Sequence, residues 1–201
     1  GWSPGDDREN ITMDELVSLF TVERVNSSPA RFDMKKLEAI NGDKIRALTI
    51  DDFLTRALPF LLRDGVISGT PTEVEVIRSA LPLIQERISR LKEVVPMLSF
   101  LFGDDVQYEE GALASLREDP SRHVLEATLK EVEALENWSH TEIEERLRAA
   151  LIEGLGLKPR LAFGPVRTAV TGSHISPPLF ESMELLGKQR CIARLRKAIN
   201  G

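Results

Sequence analysis

The sequence predicts an all-α protein built from two helical-bundle subdomains in tandem. Apolar residues recur at the three- and four-residue spacing of amphipathic helices along nearly the whole chain, and no alternating, strand-like run exceeds a few residues. Aromatic residues make up only 5% of the 201 residues, which argues against an aromatic-rich β-sandwich. The acidic, turn-forming stretch at 102–111 interrupts the helical pattern, so we expect subdomains over 1–106 and 107–201.

The helices expected in the first subdomain are recognised by the residues at their ends. They are predicted at 11–20, at 31–42, at 49–62, from Thr72 onward, and at about 82–94. The pairs Thr12/Glu15 and Thr72/Glu75 have the spacing of capping boxes. Gly42 is predicted to end its helix in a left-handed conformation.

Prolines are expected to interrupt two of these helices. Pro59 lacks a backbone N–H group and should kink or split the helix that begins at Thr49. Pro82 should begin the separate helix at about 82–94. On that helix Arg87 and Arg90 would lie three residues apart and share a face.

Five further helices are predicted in the second subdomain, at 120–135, 139–156, 163–172, 176–187 and 188–200. Ser139 and Glu142 have capping-box spacing. In the short third helix, Pro165 would lie just inside the start and Gly172 just past the end, which places Arg167 near its N-terminal end.

Composition excludes several classes of protein. A single cysteine, Cys191, rules out a four-cysteine zinc site and an internal disulfide framework, and its helical setting predicts a core position. No apolar stretch approaches the roughly 18 residues of a membrane span. We therefore expect a cytoplasmic protein without a membrane association. Because the first residue is not methionine, we expect a fragment of a longer chain.

No motif in the sequence predicts catalysis. The stretch EGLGLKP lacks the third glycine of a dinucleotide fingerprint, and LLGKQR lacks the rest of a phosphate-binding loop. The three histidines are too isolated to form a zinc site. The four acidic pairs are interpreted as helix-start or solvent-facing carboxylates, and they are Asp6/Asp7, Asp51/Asp52, Asp104/Asp105 and Glu109/Glu110.

Binding is the remaining function, and the positive charge is concentrated near the C-terminus. From Lys158 onward there are eight lysine and arginine residues against two glutamates, although the whole chain carries −6. Such a grouping can bind a polyanion, can dock an acidic protein, or can simply keep a terminal helix soluble. All three interpretations remain open at this stage.

The corner GSHISPP (172–178) offers hydrogen-bonding side chains on a backbone stiffened by Pro177. Ser176 is expected to cap the following helix, whose first N–H groups suit an anion. With Arg167 nearby, such a corner could clamp unstacked RNA bases by stacking and base-edge hydrogen bonds. A purely structural role for Arg167 is the alternative, as is pairing of Arg87 and Arg90 with Glu86 or Glu93.

The two ends of the chain resemble the region after the catalytic core of bacterial glutamyl-tRNA synthetases. The N-terminal matches are Gly1-Trp2-Ser3, Val25-Asn26, Ser28-Pro29-Ala30, Phe32-Asp33, Lys36-Leu37 and Asn41. The C-terminal matches are Pro165, Arg167, Ala169, Thr171-Gly172, Ser176-Pro177, Leu179-Phe180 and Leu185 to Lys188. Residues 104–157 match mainly by their helical pattern.

The resemblance implies an all-helical anticodon-binding region of a class I aminoacyl-tRNA synthetase, with the end of a stem-contact region at its N-terminus. The parent enzyme would join L-glutamate to tRNA(Glu) with ATP and Mg²⁺. This fragment lacks the family's catalytic signatures, so it should hold no cofactor, catalyse nothing alone and act as a monomer. Recognition of tRNA(Gln) is left open.

The resemblance also implies roles for particular residues. Arg167, Ser176, Pro177 and Leu179 would hold the first two anticodon bases. Arg87 would contact the third base, and Arg90 is the competing candidate for that contact.

Overall fold

The computed structural model describes residues 2–6, 8, 11–26, 33–103, 105–108 and 110–200. Parts of the motifs discussed above lie outside these ranges, namely Gly1, Ser28-Pro29-Ala30, Phe32, Asp7, Asp104 and Glu109. Within them the helices are α1 (Met13–Leu19), α2 (Met34–Arg46), α3 (Ile50–Arg63), α4 (Pro71–Gln85), α5 (Val94–Leu98), α6 (Ala112–Leu116), α7 (Ser121–Ala134), α8 (His140–Leu147), α9 (Pro159–Thr171), α10 (Leu179–Leu186) and α11 (Lys188–Asn200). No strand occurs in this part of the chain, so the all-α prediction is confirmed.

Short non-α turns connect several of these helices. Three 3₁₀ turns cover Val22–Arg24, Leu91–Glu93 and Ser99–Leu101, and a π-helical segment, Arg148–Gly154, continues α8. No helix in the described ranges is both long enough and apolar enough to cross a membrane.

Capping determines where α1 and α4 begin. The predicted box at Thr12 and Glu15 is present at the start of α1. At α4 the box is formed by Thr70 and Glu73, so the prediction of Thr72 and Glu75 is wrong by two residues. Pro71 takes the first helical position, where its missing N–H group costs nothing.

The carboxylate of Glu73 is held by donors on the preceding turn. One oxygen accepts hydrogen bonds from the Thr70 backbone N–H at 2.8 Å and from the Thr70 hydroxyl at 2.9 Å. The backbone N–H of Ser68 donates to the same carboxylate at 3.2 Å. These hydrogen bonds, the Thr70 N–H first, lower the pKa of Glu73 to about 2.

The prolines do not divide their helices, so the predicted split at Pro59 and the predicted helix start at Pro82 are wrong. Pro59 and Pro82 lie inside α3 and α4, which run without interruption past them. Each proline removes one backbone hydrogen bond, but the helix faces beside them carry fully buried Leu61 and Ile84, whose packing offsets that loss. Because α4 ends at Gln85, the predicted helix at 82–94 is wrong.

Two other predicted helix ends are also corrected. Gly42 lies inside α2 and does not cap it, because buried Ile45 extends the apolar face of that helix to Arg46. The helix predicted over 163–172 starts four residues earlier, with Pro159 in its first turn. Its predicted end is confirmed, since Gly172 follows α9 with φ of 83°.

The hydrophobic core is continuous from Ile45 in α2 to Ile199 in α11. The helices α3, α4 and α5 contact one another, α7, α9 and α11 form the centre of the second group, and α10 packs across onto α4. Cys191 is fully buried, which confirms its predicted core position, and burial raises the pKa of its thiol to about 12. The 106/107 boundary falls between the two groups, and we propose it as the subdomain division.

Candidate nucleic-acid interface

One face of α9 forms the floor of an open groove of about 450 Å³. Since α9 begins at Pro159, Arg160, Phe163 and Arg167 follow the spacing of a single helical face. The groove is lined by Pro159, Arg160, Phe163, Gly164, Arg167 and His174. It therefore combines an aromatic ring, two guanidinium groups and an imidazole.

Arg167 lies half-buried at this groove and is held by the corner that follows α9. Its Nη1 donates to Ser176 Oγ at 2.5 Å and to the Pro177 carbonyl at 2.8 Å. Its Nε and Nη2 find no acceptor among the described residues. The guanidinium is thus fixed on one side and has donors to spare on the other.

Ser176 does not cap the next helix, so that prediction is wrong. Its hydroxyl donates to the Pro177 carbonyl at 2.9 Å while accepting from Arg167, and the residue is only 5% exposed. The residue before α10 is Pro178, which has no side-chain capping bond. Pro177 and Leu179 are also buried, and Ser176 and Pro177 together hold the Arg167 guanidinium in place.

Hydroxyl groups brace the rest of the corner. Thr171 Oγ1 donates to the carbonyls of Arg167 and Ser173, at 2.9 and 3.1 Å. Buried Thr168 lies 3.1 Å from Nδ1 of His174, whose ring is exposed at the groove. The predicted rigidity of the corner therefore comes from side-chain hydrogen bonds as well as from proline.

Phe163 is a groove residue that sequence reasoning missed. Its half-buried ring packs edge-on against Phe180 with centroids 5.3 Å apart. The guanidinium of Arg148, from the π-helical segment, lies 5.6 Å from the ring centroid. The spacing of Arg160, Phe163 and Arg167 would have indicated this face if the helix had been predicted to start at Pro159.

Arg87 and Arg90 do not share a helical face, because both follow the end of α4. Arg90 is committed to carboxylates, with ion pairs to Glu38 at 3.3 Å and Glu93 at 2.9 Å. Arg87 is exposed and forms no ion pair with any described residue.

The charge of Arg87 reaches the groove. Burial lowers the pKa of Arg167, and the neighbouring charge of Arg87 lowers it further, while Glu181 opposes the shift. Two of the predicted arginines, 80 positions apart in sequence, therefore interact electrostatically, whereas the third, Arg90, is paired with carboxylates of the protein. The positive charges of Arg87 and Arg167 together exceed the single negative charge of Glu181, so the surroundings of Arg167 carry a net positive charge.

The basic C-terminal helix uses its cations internally. Lys188 Nζ donates to the carbonyls of Glu133 and Leu135, at the end of α7. Arg190 and Arg194 bind backbone carbonyls, and the remaining pairs of α11 are Arg196 with Glu133 and Lys197 with Asp105. This bonding does not favour the alternative in which the basic end docks an acidic protein.

No group of three or more carboxylate, histidine or cysteine side chains in the described ranges could hold a metal ion.

Comparison with known proteins identifies the family of this chain. A family model described as anticodon binding domain matches residues 52–199. The glutamate–tRNA ligase of Saccharopolyspora erythraea is 48% identical over 199 residues, which cover 98% of this chain and 40% of that protein. The glutamate–tRNA ligase of a Nocardioides species is 47% identical over 203 residues, covering 99% of this chain and 41% of the relative.

Solved structures support the same fold. Glutamate–tRNA ligase from Elizabethkingia meningosepticum superposes with a TM-score of 0.77 at 23% identity, over 98% of this chain and 38% of that one. The glutamate–tRNA synthetase from Elizabethkingia anophelis gives a TM-score of 0.78 at 24% identity, over 100% of this chain and 38% of that one. The chain therefore spans about two fifths of the length of these relatives, and it belongs to the anticodon binding domain family.

Proposed function

We propose that this chain is the anticodon-recognising part of a glutamate–tRNA ligase, which joins L-glutamate to tRNA(Glu) with ATP and Mg²⁺. The observation that carries the proposal is the groove on α9, in which half-buried Arg167 lies beside Phe163 and Arg160 and forms no ion pair with a described residue. Its sequence relatives are glutamate–tRNA ligases, which agrees with this assignment.

The groove suits an unstacked base. The exposed part of the Phe163 ring offers a stacking surface, and stacking of one base on an aromatic side chain contributes about 1–3 kcal/mol. The N–H groups of Arg167 that lack acceptors can donate to the carbonyl and ring-nitrogen acceptors of a base edge. Exposed Lys158 and Arg160, which form no ion pair with a described residue, are placed for phosphates.

In this proposal the first two anticodon bases bind at the corner and the third binds at Arg87. Ser176 and Pro177 act mainly by holding Arg167 in place, and buried Leu179 begins the helix that follows the corner. Arg87 is favoured over Arg90 for the third base because Arg90 is already paired with two glutamates. Discrimination against tRNA(Gln), which differs from tRNA(Glu) at that base, would then depend on Arg87.

Binding of anticodon stem-loops tests the proposal. The stem-loops of tRNA(Glu) and tRNA(Gln), each with native and altered third anticodon bases, are titrated into the native protein and into Arg167→Ala. The matched control is Arg122→Ala, which removes an exposed arginine paired with Glu126 on α7. Loss of one base contact should weaken cognate binding about 10-fold.

The comparison with unrelated RNA decides the outcome. Arg167→Ala should reduce cognate affinity more than affinity for an unrelated stem-loop, and Arg122→Ala should change neither. Equal losses on both RNAs would refute a role for Arg167 in reading bases. Binding should also weaken steeply with added salt, because phosphate contacts release counterions. We further propose that the parent enzyme is a cytoplasmic monomer.

A further inference from the structure

The connection between the two groups of helices is fastened to the end of α9, the helix that carries Arg167. Tyr108 Oη donates to the Ala169 carbonyl at 3.1 Å. Gly172 lies so close to the connection that a β-carbon there would be 2.1 Å from the Gln107 carbonyl oxygen. The connection therefore lies against α9 at more than one point.

Arg194 of α11 joins these parts through one buried guanidinium. Its Nη1 donates to the Val170 carbonyl in α9 at 2.7 Å. Its Nη2 donates to the carbonyls of Phe100 and Gly103, at 2.7 and 2.9 Å, where the first group of helices ends. The residue is 3% exposed, and no carboxylate in the described ranges forms an ion pair with it.

A second arginine reinforces the same attachment. Arg190, one turn earlier, donates to the carbonyls of Leu101 and Gly103 at 2.7 and 2.6 Å. Burial, followed by the charge of Arg190, lowers the pKa of Arg194 to about 10, which still leaves it protonated at neutral pH. A planar guanidinium can donate to three carbonyls at fixed angles, which a lysine ammonium cannot reproduce.

We infer that Arg194 is a positioning residue for RNA recognition, because it fixes α9 and Arg167 relative to the helices that carry Arg87. This inference rests on the proposed function. The structural reason is that Val170 belongs to the helix of Arg167, whereas Phe100 belongs to the 3₁₀ turn that packs on α5, next to α4. Arg87 follows α4 directly. Both arginines would then meet one anticodon loop without a separate ordering step.

Distance measurements between spin labels test the positioning role without RNA. Cysteines replace exposed Glu75 on α4 and exposed Leu161 on α9, while buried Cys191 stays unlabelled in the folded protein. The distance distribution should be narrow in the native background and in the control Arg196→Ala, an exposed arginine of the same helix. It should broaden, or split into two populations, in Arg194→Lys.

A variant with a milder change guards against failure to fold. Half-buried Arg190 shares one acceptor, the Gly103 carbonyl, with Arg194 and also donates to the neighbouring Leu101 carbonyl. Arg190→Ala removes both of its donations and should broaden the distribution in the same direction. The decisive variant is Arg194→Lys if it folds, and Arg190→Ala if it does not. If that variant keeps the native distance distribution, the packing of α10 on α4 is enough to orient the helices and the inference is overturned.

RNA affinity provides the functional readout. If only about a third of the Arg194→Lys molecules hold both arginines in place, the stem-loop Kd rises about three-fold. Arg87→Ala should then raise the Kd about 10-fold in the native background but only about three-fold in the Arg194→Lys background. The effect is smaller in the second background because part of the binding energy of Arg87 is already used there to order the two subdomains. If Arg87→Ala and Arg167→Ala cost nothing in the native background, the proposed function fails, while the distance measurement still decides the role of Arg194.

Discussion

Replacement of Gly172 by alanine should destabilise the protein strongly, and the structure separates two causes. Gly172 has φ of 83°, a left-handed conformation that costs a residue with a β-carbon about 1–2 kcal/mol. The new methyl group would also lie 2.1 Å from the Gln107 carbonyl oxygen and 2.9 Å from Val106 Cγ1. Relief of such overlap by backbone movement typically costs about 1–3 kcal/mol more.

The expected total is therefore about 2–5 kcal/mol. Gly156→Ala is the matched control, since Gly156 has φ of 66° but a β-carbon there would meet nothing within 4 Å. Only the conformational cost should appear in that variant. Urea unfolding followed by circular dichroism at 222 nm measures both changes in the free energy of unfolding. Equal losses would show that the contact between Gly172 and the connection contributes nothing, and would refute the close fit at this point.

Two other predictions concern the cap of α4 and the groove. Because the folded state lowers the pKa of Glu73 to about 2, its contribution to stability is present above the ordinary value of 4.5 and is lost as pH falls from 4.5 towards 2. The urea midpoint of the native protein should therefore fall between pH 5 and pH 3, and Glu73→Gln should make that fall smaller. Glu75→Gln should leave the fall unchanged. If Glu75→Gln and not Glu73→Gln made it smaller, the capping pair predicted from sequence would be the correct one. Phe163→Leu should weaken binding of the cognate stem-loop about 10-fold in a fluorescence titration. Phe60→Leu is the control, because the Phe60 ring is also half-buried and lies beside the guanidinium of Arg63. It should not change the binding of the stem-loop, and equal losses in the two variants would argue against base stacking in the groove.

Local features of the fold were predictable because they depend on neighbours in sequence. The capping box at Thr12 and the left-handed end at Gly172 each require residues within one turn of the helix end, and both predictions are confirmed. The failures at Pro59 and Pro82 have the opposite origin. A proline weakens a helix locally, but whether the helix survives depends on the burial of its apolar face against distant helices.

The groove was missed because of a single boundary. Two prolines, Pro159 and Pro165, could each occupy the first turn of α9, and the sequence does not say which one does. With the predicted start at 163, Arg160 falls outside the helix and Phe163 lies at its first position, so the face that they share with Arg167 is not apparent. With the observed start they share one face, and a cluster able to bind a base becomes visible.

The distribution of charge along the chain is a poor guide to where a polyanion can bind. Five of the eight cations from Lys158 onward belong to α11, and each of them binds a backbone carbonyl or a carboxylate of the protein. Guanidinium and ammonium groups can donate hydrogen bonds to backbone carbonyls at helix ends as well as to phosphates, and a count of charges cannot distinguish the two uses. The positive charge left for RNA comes from the start of α9 and from Arg87, 80 positions before Arg167. Arg87 and Arg167 belong to different subdomains, so the specificity proposed for this chain depends on the packing of one subdomain against the other.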